Sequence, residues 1–180
     1  RDWSSWRWQL RNMITSGAEL AEVIDLAPAE RAGLAASAHL FRVGITPYYA
    51  SLMDRSDPRC PVRMQAIPRA AELDIRDEEL RDPLGEDHHH PAPCVIHKYP
   101  DRALFLVVDR CAIYCRHCNR KRLVGQEQPI SSEELERAIA YIRDHRQIRD
   151  VLISGGDPLT LATSKLSELT DALARIPHVR

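Results

Sequence analysis

Three thiols, Cys111, Cys115 and Cys118, stand in the run "DRCAIYCRHCNRKR", spaced as CxxxCxxC and followed at once by cations. Thiolate sulfur binds soft metals and iron–sulfur clusters, so this trio is a candidate metal centre. A structural zinc ion takes four ligands, usually from two CxxC-like pairs, and the sequence holds no second pair. His117 is a conceivable fourth donor, but its adjacency to Cys118 places it poorly for the same tetrahedron. A cubane cluster suits the spacing better, because irons at separate corners each take one thiolate from a short folded loop. Three thiolates then leave one iron open, and an open iron binds something other than protein.

Other residues invite weaker readings. Cys60 and Cys94 lie apart from the trio in Pro-rich surroundings and read as structural. Five cysteines, three of them crowded together, do not make a disulfide framework, and metal or redox chemistry in a reducing compartment is the better expectation. The run His88, His89, His90 sits in an acidic, Pro-flanked loop and reads as a solvated stretch. "SGGDP", Ser154 to Pro158, is by itself a tight turn with a helix cap.

The elements that carry these residues can be read from periodicity. Residues 1 to about 56 read as several short helices: Trp3, Trp6, Leu10 and Met13 recur at helical spacing and predict one buried indole-rich face. Ser16 with Glu19 makes a capping box, Pro28 marks a first helical turn, and Thr46 with Pro47 opens another helix. From Ser56 to Pro100, scattered Pro, Gly and Asp predict extended chain wrapped over a neighbouring domain. "ALFLVV", Ala103 to Val108, and "VLIS", Val151 to Ser154, are apolar runs of strand length and predict parallel strands covered on both faces. Ser131 and Glu134 cap a helix lined by Leu135, Ala138, Ile139 and Ile142, while Leu166, Leu169, Leu173 and Ile176 mark a second. Strand, helix, strand, helix predicts an α/β fold, with Val179 opening a third strand. Working residues of such folds lie at the carboxyl ends of strands, and both the cysteine loop and "SGGDP" leave strands there.

Composition narrows the function classes. A net charge of -1 over 180 residues gives no global attraction to nucleic acid or to an anionic membrane. The sequence has no apolar run near the roughly 20 residues that span a bilayer and no opening signal segment, so a cytoplasmic location is expected. The chain opens at Arg1 without Met and stops at "IPHVR" as a new apolar segment begins, and it reads as a piece of a longer protein.

CxxxCxxC with His before its last Cys, after the first strand of a βα array, resembles the signature of the radical S-adenosylmethionine (SAM) superfamily. "WRWQLRN", "ITPYYASLMD", "PVRMQAIP", "DPLGED", "HKYPDR", "CAIYCRHCNRKR" and "VLISGGDPL" together resemble the lysine 2,3-aminomutase family over nearly the whole chain. The resemblance implies a partial radical SAM (β/α) barrel over 101–180, truncated after about two βα units, preceded over 1–100 by a helical region and the wrapping segment. It also implies an isomerase that moves an amino group from carbon 2 to carbon 3 of an amino acid, L-lysine to L-β-lysine above all. Cys111, Cys115 and Cys118 would bind a [4Fe-4S] cluster whose open iron takes the amino and carboxylate groups of SAM, the source of a 5′-deoxyadenosyl radical. The amino acid would be held as an imine of pyridoxal 5′-phosphate (PLP).

Residue by residue, the resemblance sets His117 along the adenine and Ser154, Gly155, Gly156 and Asp157 around the methionine part of SAM. Arg120 would take the substrate carboxylate, and Lys98, Tyr99 and Arg102 would surround PLP; Lys98 stands where the family commonly carries Arg. Arg116, Lys121 and Arg122 have either a structural or a ligand-binding reading. The chain has just three lysines, Lys98, Lys121 and Lys165, and none has the Gly-rich context of the Schiff-base lysine, which is expected beyond Arg180 together with the acids that recognise a substrate side chain. Partners implied are the amino acid, a reductant protein such as flavodoxin or ferredoxin, and further copies of the full-length chain, with no nucleic acid or membrane. Within the family, an aminomutase that supplies β-lysine to elongation factor P and a glutamate 2,3-aminomutase are alternatives; "WRWQL", "ITPYY", "YPDR" and "CRHC" favour the free amino-acid enzyme over the former. A zinc-dependent nucleic-acid-binding module, reading "CRHCNRKR" as a basic knuckle, is the alternative of another class.

Overall fold

Serine hydroxyls at Ser5, Ser16 and Ser131 cap the helices that follow them. In the computed structural model, which describes residues 2–37, 42–126 and 129–180, the chain forms two compact units. One comprises Arg1–Arg81 with Cys111–Leu123, the other Asp82–Arg110 with Val124–Arg180.

The first unit is a set of short helices, α1 (Trp6–Arg11), α2 (Gly17–Val23), α3 (Pro28–Ser37), α4 (Pro47–Ser51) and α5 (Pro61–Met64), with a 3-10 turn at Ala70–Leu73. Ser16 and Glu19 form the expected capping box on α2, and Pro47 occupies the first turn of α4, where a missing N–H costs nothing. Ile14, Leu20, Ile24, Leu34, Ile45, Met53 and Ile67 make the core.

The indole-rich face is not buried. Ser5 caps α1, so Trp3 lies ahead of the helix, and Trp3 and Trp6 are 48% and 39% exposed. The buried residue of α1 is Gln9. Its amide uses both ends, donating to Trp3 O at 2.8 Å and accepting the Tyr48 N–H at 2.7 Å.

A fully buried guanidinium ties this unit together. Arg63 of α5 pairs with Glu30 of α3 at 2.5 Å and donates to the carbonyls of Asp25, Asp54 and Arg55. Burial pushes the Glu30 carboxyl upward, but the hydrogen bonds from Arg63 and the Ala27 N–H outweigh it and hold the group below its ordinary value. Such a pair adds little over a well-packed apolar substitute, whereas removing one partner strands a buried charge.

The second unit is a three-stranded sheet, ordered β1 (Val95–Tyr99), β2 (Arg102–Val108), β3 (Asp150–Gly155), with α6 (Ser132–Asp144) and α7 (Thr163–Ala174). β2 and β3 are parallel, as expected, while β1 pairs antiparallel with β2 through the turn at Pro100 and Asp101. The segment 56–100, expected to be extended chain, thus contains α5, the 3-10 turn and β1. Ser131 and Glu134 form the predicted capping box on α6.

Period-two alternation divides the sheet faces. Ala103, Phe105 and Val107 join Leu135, Ala138, Ile142, Leu169, Leu173 and Ile176 in one core. The parallel register pairs Arg102 with Asp150, Leu104 with Leu152 and Leu106 with Ser154, so these six residues share the opposite face. That face is not closed over: Leu104 and Leu106 are half-buried and Leu152 is 51% exposed. The strands are therefore covered on one face, where the sequence predicted two. Val179 does not open a strand; it turns back on Ile176, and Arg180 N–H then donates to Arg149 O at 2.9 Å.

The buried pair yields a signed expectation. Because the folded-state pKa of Glu30 is depressed, its contribution is present above the ordinary carboxylate range and is lost as pH falls through the folded value. Arg63→Met should lower stability by about 3–5 kcal/mol at pH 7, read by urea unfolding. The acid-side loss of stability should flatten in Glu30→Gln.

Candidate functional site

The cysteine loop begins one peptide bond after Arg110 and is anchored by its own backbone within the first unit. Thr46 N–H donates to Ala112 O at 3.2 Å, Tyr114 N–H to Gly44 O at 2.9 Å and Arg116 N–H to Gln65 O at 2.8 Å. The Arg116 guanidinium, whose side chain is 8% exposed, clamps Glu72 at 2.6 Å. Arg116 therefore has the structural role that sequence left open. Its partner is 44 positions away in the chain, a pairing that no local pattern signals.

Cys111, Cys115 and Cys118 are half-buried thiols in this loop. Cys118 N–H donates to Cys115 O at 3.2 Å and Arg120 N–H to Cys118 Sγ at 3.4 Å. Burial pushes the Cys115 thiol above its ordinary value, and the neighbouring Cys118 adds to the shift. His117 is exposed and Arg120 half-buried. Among the described residues no three His, Cys, Asp or Glu side chains converge as a site for a single metal ion. A cubane cluster asks for no such convergence, since each thiolate meets a different corner. The chemistry of three thiols on one short loop, with a backbone N–H aimed at a sulfur, fits that group.

Cys60 accepts the Asp54 N–H at 3.4 Å. Cys94 packs against the sheet core, and burial, then the charge of Glu134, pushes its thiol to about 11. Such a thiol stays protonated and inert. His88 and His90 are exposed and His89 half-buried.

In the second unit the exits of β2 and β3 lie side by side. A Cβ on Gly155, whose φ is +116°, would fall 2.1 Å from Val108 O, and one on Gly156 2.3 Å from Arg110 O. Gly156 N–H donates to Val108 O at 2.6 Å and Asp157 N–H to Arg110 O at 2.8 Å. The two glycines are thus demanded by the strand that runs beside them. Asp157 caps the 3-10 turn Pro158–Thr160 by accepting the Leu159 N–H at 3.0 Å, so the turn-and-cap reading of this motif is realised. Sequence missed Thr160, whose hydroxyl sits against both the Arg110 and Asp157 carbonyls. A hydroxyl three residues after a turn-opening Asp was the available signal.

Lys98, Tyr99 and Arg102 lie at the other end of β2, in the hairpin. Lys98 Nζ donates to Leu84 O at 2.5 Å, and Arg102 reaches Asp101 at 3.1 Å while its guanidinium carbon stands 5.7 Å from the Tyr99 ring centre. The hydrogen bond from Arg102 holds the Asp101 carboxyl below its ordinary value. Arg149 joins this group through Asp101 at 2.9 Å and Asp150 at 3.2 Å. One cation, Arg102, stands beside the exposed Tyr99 phenol, a pairing that fits a phosphate-bearing aromatic group, while Lys98 is turned to Leu84 O. The structure does not bring this set to the exits of the strands.

Comparison with known proteins agrees with the motif. Residues 105–179 match the radical SAM superfamily. Over 179 residues the chain is 48% identical to the L-lysine 2,3-aminomutase of Clostridium subterminale, covering 99% of this chain and 43% of that protein. The chain is thus similar to 2,3-aminomutases over nearly its whole length. It is 45% identical over 178 residues to the L-lysine 2,3-aminomutase of Bacillus subtilis, covering 98% of this chain and 38% of that one. The glutamate 2,3-aminomutase of Clostridioides difficile is 41% identical over 179 residues, 99% of this chain and 42% of that protein. The chain spans about two-fifths of the length of these aminomutases.

Gly156→Ala should destabilise the second unit by roughly 3 kcal/mol, because the new methyl meets backbone and cannot be relieved by a rotamer change. Leu159→Ala, at a side chain 76% exposed, should stay within about 0.5 kcal/mol of wild type in the same thermal or urea unfolding measurement.

Proposed function

We propose that this chain forms part of a radical SAM 2,3-aminomutase acting on a free amino acid, L-lysine to L-β-lysine above all. The observation that carries the reading is a three-thiol CxxxCxxC loop issuing from a parallel βα unit, in a chain 48% identical to an L-lysine 2,3-aminomutase. A glutamate-specific enzyme is the second reading, supported by the 41% identical relative. The zinc-dependent nucleic-acid-binding reading has no support from these relatives.

On this proposal the parallel pair β2 and β3, with helices on one face, opens a (β/α) barrel whose lumen is the other face. The thiolates of Cys111, Cys115 and Cys118 hold a [4Fe-4S] cluster, the Arg120 N–H at Cys118 Sγ tempering the charge on that sulfur. SAM is received by Ser154, Gly155, Gly156 and Asp157, with His117 along the adenine. Lys98 and Arg102 hold the phosphate of PLP and Tyr99 lies against its ring. Arg120 offers its fork to the substrate carboxylate, a pairing for which a planar guanidinium is suited. When bound, the cluster and SAM supply the radical that removes hydrogen, and PLP supplies the carrier for the migrating nitrogen.

The shared sheet face supports this division. Ser154 stands opposite Leu106, four residues from Arg102 along β2, a separation of about 13 Å. Leu104, Leu106 and Leu152 floor the interval with apolar surface, which keeps water from the reacting atoms. The nucleophilic lysine for the imine, a reductant protein and further copies of the chain lie outside these residues and belong to the proposal. No helix among the described residues is long and apolar enough to cross a membrane, and we place the enzyme in the cytoplasm.

Anaerobic reconstitution of the full-length protein should give about four irons per chain, and the EPR signal of the reduced cluster should change when SAM is added. Stoichiometric zinc without iron–sulfur absorption would sink the reading, and Cys115→Ser should abolish the signal. Residues 1–180 alone should show no conversion of lysine to β-lysine whatever cofactors are added, and β-lysine detected by chromatography would refute this.

A further inference from the structure

We infer that Thr160 is a positioning residue for the SAM site: it locks the turn after β3 onto Arg110, the residue that follows β2 and precedes the cysteine loop. The inference rests on the radical SAM reading above. It starts from a buried hydroxyl that the reading does not use.

Thr160 is 4% exposed, in a turn whose neighbour Leu159 is 76% exposed. Its Oγ1 lies 2.7 Å from Asp157 O and 3.2 Å from Arg110 O. A hydroxyl has one hydrogen, so the two carbonyls share it, the nearer taking the larger part. Arg110 is held in return: its carbonyl also accepts the Asp157 N–H at 2.8 Å, and its guanidinium reaches Thr160 O at 3.4 Å. Three contacts therefore join one residue of the β2 exit to the two ends of the Asp157–Thr160 turn.

The consequence follows from covalent geometry. The Arg110 carbonyl belongs to the peptide plane that leads into Cys111, the first thiol of the trio. The Asp157 carbonyl closes the turn that begins with Gly155 and Gly156. Both glycines are already pressed on the backbone of Val108 and Arg110, and without a side chain they have no rotamer with which to hold their own conformation. Thr160 supplies the side-chain lock that the glycines lack. Together with the Asp157 N–H bond to the same Arg110 carbonyl, it holds, before any ligand arrives, the peptide that leads into Cys111 and the carbonyl of Asp157. Preorganised backbone of this kind spares the ligand the cost of ordering it.

The test uses full-length protein reconstituted with iron and sulfide, with SAM as the probe. Thr160→Val removes the hydroxyl at nearly constant volume and leaves the Asp157 and Arg110 carbonyls with their backbone donors, the N–H groups of Thr160 and Asp157, alone. It should retain the wild-type iron content and raise the Kd for SAM by about fivefold to tenfold, the worth of one shared hydrogen bond. Thr160→Ser, which restores the hydroxyl, should bind SAM within about twofold of wild type. A Val variant with full iron and wild-type affinity would overturn the inference, as would a Ser variant as weak as the Val one. Should Thr160→Val not fold, hydrogen exchange of the wild type decides: the Asp157 amide should be protected before SAM is added, and its rapid exchange would overturn the lock. Wild-type protein whose cluster signal ignores SAM would instead overturn the radical SAM reading, and the inference with it.

Discussion

The closest constraint in the second unit is the passage of one backbone across another. Where β3 leaves the sheet, its chain comes so near the end of β2 that side chains at 155 and 156 would coincide with the carbonyls of Val108 and Arg110. The turn capped by Asp157 starts from that crossing, and the Asp157 N–H is tied to it through Arg110 O. Glycine is used here for closeness between the two chain segments, close enough for the Gly156 N–H to reach Val108 O at 2.6 Å.

The first unit solves a different problem. Its helices are short, and a helix of four to ten residues is not stable by itself in water. Their packing is organised around a buried charge pair and the carbonyls that Arg63 gathers from two stretches of chain, at Asp25 and at Asp54 and Arg55. The same unit anchors the cysteine loop through bonds at Gly44, Thr46 and Gln65 and through the Arg116–Glu72 pair. The loop that carries the three thiols is thereby held by main-chain contacts and by one side-chain ion pair.

Much of this was legible in the sequence, for reasons that also explain what was not. The apolar runs of β2 and β3 and the capping boxes of α2 and α6 are local signals, and they fold as read. β1 was missed because "VIHKY" ends in exposed polar residues and runs into Pro100, a pattern that reads as loop. Trp3 was counted into a helix that Ser5 begins only after it. The strands were read as buried on both faces because an apolar run cannot say which neighbours cover it; here Leu152 faces outward. At the site, the exits of β2 and β3 were legible as one end of a parallel sheet. The position of "HKYPDR" at the opposite end was not, since it depends on an antiparallel hairpin that the sequence hides.

The register of the sheet turns β2 into a ruler with parity. Arg102 and the Leu106–Ser154 pair share a face because Arg102 and Leu106 are an even number of positions, four, apart. Adding one residue to that interval would move Arg102 to the helix-packed face, whereas adding two would keep the face and lengthen the interval by about 6.6 Å. Sequences that keep this arrangement are thus free to vary the apolar side chains of β2 but not to change its length by one.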